Sequence, residues 1–111
     1  MSGYTLWISA EHWAPGEWTP HDDVTDVIVT LPDGTRWAAT FCAFAHLATL
    51  RALWERHGEA LGGRYVWMAN LILVEDTSRA TTTAVVDSLL RSSEFVSAFA
   101  RAAPKIDAPA I

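Results

Sequence analysis

Alternation of period two marks the most legible part of this chain. Val27, Val29 and Leu31 fall on one side, and Asp26, Ile28 and Thr30 on the other. That is the pattern of a strand with one buried face. Pro32-Asp33-Gly34 then interrupts it, with a proline that presets φ, an aspartate that tolerates the next turn position and a glycine for the left-handed one. Arg36–Phe41 resumes the alternation with Trp37, Ala39 and Phe41 together, so a hairpin is predicted. Upstream, Tyr4–Ile8 mixes aromatic and branched residues and predicts a first strand. Between these strands Glu11–Asp23, with Pro15, Gly16 and Pro20, predicts a loop that is long for a compact domain.

Downstream the period becomes helical. From about residue 43, Ala43, Leu47, Leu50, Trp54 and His57 share one side, with Gly58 as C-cap and Gly62-Gly63 in the turn beyond. Arg51 and Glu55 stand at favourable ion-pair spacing. Tyr65–Val74, apolar apart from Asn70, predicts a central strand covered on both faces. Ser78 or Thr81 caps a second helix to about Arg91, with Val85, Val86, Leu89 and Leu90 as its stripe. Ser93 caps a short third helix with Phe95 and Phe99, and residues 104–111 read as a frayed tail. This order predicts a single α+β domain over residues 1–103. Its sheet is mainly antiparallel, of about four strands, with helices packed on one face. A parallel pairing of the strands that flank the first helix fits the same order.

Composition narrows the function classes. Half of the 111 residues are apolar, enough for one ordinary core and too many for a disordered chain, while no apolar run could span a bilayer. The single Cys42 makes no intrachain disulfide. The N-terminus has no positive region followed by an apolar stretch, so a cytoplasmic location is expected. Thirteen acidic against eight basic residues, a net charge of -5, argue against nucleic acid as a partner. They suit a basic protein partner, and equally suit simple solubility.

Candidate chemistry is sparse. Glu11, His12, Glu17, His21, Asp22 and Asp23 are metal-ligating residue types, but their spacing matches no metal motif, so a solvated acidic loop is the plainer reading. Cys42, four residues before His46, would form a nucleophile pair at a helix start; a small buried hydrophobe is the plainer alternative. No phosphate-binding glycine loop and no nucleophile elbow is present. No catalytic residue, cofactor or metal is assigned, and enzyme activity has no positive support.

The six tryptophans change the picture most. Trp7, Trp37, Trp54 and Trp67 lie in predicted regular elements and are expected mostly in the core. Trp13 and Trp18 lie in the loop, as a packed lid or as an exposed recognition surface. In the second reading Trp13 and Trp18 form an aromatic centre and Glu11, Glu17, Asp22 and Asp23 an acidic rim, which would suit a basic protein partner. The alternative is a Trp-lined apolar pocket for a flat aromatic small molecule. The apolar surplus also predicts a symmetric homodimer.

The run Leu31–Phe41 (LPDGTRWAATF), with Gly63–Trp67 (GRYVW), Leu71–Val74, Leu89-Leu90 and Glu94-Phe95, resembles a family of small bacterial α+β proteins. The resemblance spans about residues 24–99 and consists of scaffold residues, with no catalytic motif to transfer. In size and element order the chain is also similar to small α+β immunity proteins that neutralise toxins, which implies an immunity- or antitoxin-like inhibitor. The N-terminal loop departs most from the pattern, so a function housed there would be particular to this chain.

Overall fold

The hairpin forms as its turn chemistry dictates. In the computed structural model, which describes residues 3–103, Gly34 takes φ +87°, and Asp33 Oδ1 accepts from the Thr35 amide at 2.9 Å and from its hydroxyl at 2.7 Å. The tail expected at 104–111 lies outside the described residues. Strands β2 (Val24–Thr30) and β3 (Arg36–Ala43) pair antiparallel, Val27 facing Ala39 and Ile28 facing Ala38. Strand β1 (Thr5–Ile8) pairs antiparallel with the outer side of β2, Trp7 beside Ile28.

On its other side β3 carries two short strands in line. β4 (Leu71–Val74) runs parallel to residues 40–43, and β5 (Ala100–Ala102) runs antiparallel to residues 36–38. The sheet is therefore mainly antiparallel with one parallel pair, an α+β fold as expected, with a fifth strand that the sequence pattern did not announce.

Alternation sorts the side chains between two faces. Ile8, Val27, Val29, Ala39, Phe41 and Val74 form the core side and are buried. Helix α3 (Arg79–Arg91) contributes Val86 to this core, and the single-turn helix α4 (Phe95–Ala98) contributes Phe95, followed by Phe99. Phe95 and Phe99 stack at 4.5 Å, and Trp37 meets Phe95 edge-on at 5.7 Å. Ser78 caps α3, its hydroxyl accepting from the Thr81 amide at 3.3 Å. Ser93, expected to cap the third helix, instead takes a left-handed φ of +64° one residue before the Glu94 cap.

Helix α1 (His46–His57) ends at Gly58 in the left-handed conformation, as the sequence predicts. It begins at His46, three residues later than its periodicity suggests, because Ala43 is still paired in β3. Arg51 does not bridge to Glu55; its Nε donates to the Gly63 carbonyl at 3.2 Å, in the single turn α2 (Ala60–Gly63). The continuous strand expected over Tyr65–Val74 is corrected to Leu71–Val74, at the margin of the sheet. The left-handed Asn70, φ +49°, interrupts the extended backbone, so Tyr65–Val74 cannot run as one strand.

Candidate functional site

The N-terminal loop pairs each of its four carboxylates with another group of the protein. Two 3-10 turns, Ser9–His12 and Pro20–Asp22, divide it. Glu11 forms a two-pronged pair with Arg79, Oε2 to Nε and Oε1 to Nη2 at 2.8 Å each, while Nη2 also donates to the Leu6 carbonyl at 2.9 Å. The Arg79 hydrogen bonds hold the Glu11 carboxyl below its usual range and raise Arg79. Glu17 Oε1 accepts from the Ala14 amide at 3.0 Å. Asp23 accepts from the amides of Thr19 at 3.1 Å and Val24 at 3.0 Å. Trp13 and Trp18 are half-buried against the core, the Trp18 indole N–H donating to Thr77 at 2.9 Å. These two tryptophans lie as a packed lid, and the carboxylates of Glu11, Glu17 and Asp23 tie the loop to itself and to α3.

Asp22 reaches across to α1. Its Oδ1 lies 2.8 Å from His46 Nδ1 and 3.1 Å from the Thr49 hydroxyl, and the His46 contact, more than Thr49, keeps the carboxyl low. His46 thus faces Asp22. Cys42 is fully buried within β3, its Sγ 3.5 Å from the Ala43 carbonyl. Burial, reinforced by the charges of Asp22 and Asp23, pushes the thiol up, the opposite of what a nucleophile needs. Among the described residues no three His, Cys, Asp or Glu side chains converge in a way that could hold a metal ion. His12 instead stacks on Trp7 at 5.4 Å.

The second face of the sheet carries a different cluster. Register places Trp7, Ile28, Ala38 and Ala100 in one row across four strands, with Asp26 and Thr40 in the next. Trp7 is 42 % exposed and Trp67, in the segment after α2, is 72 % exposed. Both were expected mostly in the core. They stay outside because α3 and α4 occupy the opposite face and because 64–69 is not a strand.

Two adjoining depressions meet at Asp26. One, of about 510 Å³, is bounded by Trp7, Ile28, Ala38 and Asn70; the other, of about 480 Å³, by Trp13, Trp67 and Met68. Asp26, Thr40 and Ala69 line both. Asp26 is exposed and, among the described residues, its carboxylate takes part in neither ion pair. An unpaired carboxylate in mid-strand, bordered by indole rings, can receive a cation and cover it with aromatic surface.

Sequence reasoning missed this site except for Trp13. Asp26 read as the polar side of a strand, and its position on the same face as Ile28 was the available signal.

A separate depression, of about 590 Å³, runs between β4 and α3 and is lined by Phe44, Leu73, Val74, Val85 and Leu89. It contains no tryptophan. No described helix is long and apolar enough to cross a membrane. Comparisons with protein-family models, with curated proteins and with solved structures found no match, so function is read from the geometry.

Proposed function

We propose that this chain is a non-enzymatic binding protein that recognises a basic protein partner, acting in the cytoplasm as an immunity- or antitoxin-like inhibitor. The observation that carries the reading is the open sheet face, where the exposed Trp7 and Trp67 border the two depressions that share Asp26, a carboxylate without an ion-pair partner among the described residues. Tryptophan is enriched at the energetic centres of protein interfaces, and a net charge of -5 accelerates encounter with a basic partner. In this reading the recognition surface is the sheet face rather than the loop, with Trp13 as the residue common to both.

The test is co-expression and co-purification with the products of the neighbouring genes, followed by binding kinetics at two ionic strengths. The expected outcome is a stoichiometric complex with a basic protein, whose association rate falls as salt rises. Absence of a complex with any of those products, or association indifferent to salt, overturns the reading.

The second reading, a small-molecule-binding or self-resistance protein, is favoured by one feature, the apolar groove between β4 and α3. Its walls are aliphatic and phenyl rather than indole. Self-association also belongs to the proposal. Alternation along a strand paired on one side only leaves the amides and carbonyls of Leu71 and Leu73 directed away from β3. Leu73 and Phe44, 41 % and 58 % exposed, stand beside that free edge. A dimer mass by light scattering, returning to the monomer with Leu73→Lys, is the expected result.

A further inference from the structure

The open face does more than offer apolar area, because its charge is placed. Asp26 lies at the junction of the two aromatic depressions, on a strand whose neighbours on that face, Ile28 and Thr40, carry no charge. The nearest strand-borne cation on the same face is Arg36, opposite Thr30, four residues or about 13 Å along β2. Its Nη1 donates to the Ala103 carbonyl at 3.1 Å. A carboxylate so placed is open to a cation supplied from outside.

We propose that Asp26 is the seat for an arginine side chain of a basic protein segment, the guanidinium meeting the carboxylate while its plane lies against the indoles of Trp7 or Trp67. This rests on the protein-binding reading above and names the chemistry of the residue recognised. The chemistry of the walls favours arginine. The walls are tryptophan, the aromatic ring that best attracts a cation, and a guanidinium both stacks on a ring and forks onto a carboxylate, where an ammonium acts as a compact point charge. His12 already stacks on Trp7, so that indole is held in place before a ligand arrives. The chain also makes this contact within itself, since the Arg101 guanidinium carbon lies 5.6 Å from the Trp37 ring centre on the other face of the sheet. Charge complementarity with a chain of net charge -5 favours a segment with several basic residues, of which one occupies the seat.

The experiment titrates hexa-arginine and hexa-lysine peptides into the full chain at low salt, following tryptophan fluorescence. It compares the wild type with Asp26→Asn, Trp67→Ala and Glu59→Gln. Glu59 is exposed and lines neither depression, so Glu59→Gln removes the same unit of charge elsewhere. Hexa-arginine is expected to bind more tightly than hexa-lysine. Asp26→Asn should weaken hexa-arginine about fivefold, the value of a partly exposed charge pair worth about 1 kcal/mol, and Glu59→Gln less than twofold. Trp67→Ala, at an exposed position where folding is not at risk, should reduce the preference for arginine over lysine.

Equal losses in Asp26→Asn and Glu59→Gln would mean diffuse attraction to an acidic surface and overturn the seat. Equal affinity for the two peptides would overturn arginine. Either failure leaves the protein-binding reading to be judged by co-purification. If a complex with a basic protein forms and survives Asp26→Asn unweakened, the binding function stands and the seat falls.

Discussion

The indole N–H of Trp18 donates to the hydroxyl of Thr77 at 2.9 Å, joining the N-terminal loop to the start of α3. Thr77 is fully buried, and its hydroxyl and amide both donate to the Pro20 carbonyl, at 3.1 and 2.8 Å. One threonine therefore anchors both the aromatic lid and the proline turn beneath it.

Removing that anchor should loosen the lid. Thr77→Val keeps the shape but strands the Trp18 N–H and deprives Pro20 of one donor. A loss of about 1–2 kcal/mol is expected by urea denaturation. Trp18→Phe, which keeps most of the ring but lacks the N–H, should cost about 1 kcal/mol. Stability equal to wild type in Thr77→Val would show that the hydrogen bond contributes nothing.

The Glu11–Arg79 pair predicts acid sensitivity. Its hydrogen bonds from Arg79 keep the folded carboxyl below its ordinary value of 4.5, so the folded state binds that proton less readily than the unfolded chain. The contribution is present above pH 4.5 and is lost as pH falls through the lower, folded value. The pair is partly exposed, so its worth is about 0.2–1 kcal/mol. Glu11→Gln should flatten the stability profile below pH 4.5 and leave its slope unchanged at pH 7. An unaltered acid limb would be evidence against the pair's role.

Gly63 holds the turn from which the Trp67 segment departs. Its φ is +83°, and a Cβ built there would lie 2.6 Å from the Arg51 carbonyl oxygen on α1. Gly58 has a similar φ of +79° but open space around it. Gly63→Ala should therefore cost about 2–3 kcal/mol and Gly58→Ala about 1 kcal/mol. Thermal denaturation of the two variants tests the order, and a reversal would refute the close approach.

Cys42 should be inert in the folded protein. A fully buried thiol pushed up by burial reacts only when the sheet opens. At pH 7 an aromatic disulfide reagent should label it slowly in buffer and at once in denaturant. Rapid labelling of the native chain would restore the nucleophile reading of Cys42 and His46.

The alternation of Val27 and Val29, the Pro32-Asp33-Gly34 turn, the Gly58 cap and the Ser78 cap were all legible in the sequence, because each is set by residues within a few positions of one another. The α+β class followed from their order. What lay beyond reach depended on contacts between distant residues. Tyr65–Val74 is apolar enough to read as a buried strand, yet only four of its residues pair. Whether Trp67 is core or surface depends on which sheet face α3 and α4 cover, and periodicity within a segment carries no such information.

The loop shows the same division. Its carboxylates and tryptophans were visible as a concentration of charge and aromatic surface. Their partners, Arg79 for Glu11, His46 for Asp22 and Thr77 for Trp18, come from 24 to 68 residues away and engage those groups within the fold. The sequence by itself determined which residues alternate, turn and cap. Only the tertiary structure decided that Asp26, a plain polar position in a strand, would line depressions bordered by Trp7 and Trp67 on the face opposite α3 and α4, because strand pairing and chain crossover bring them together.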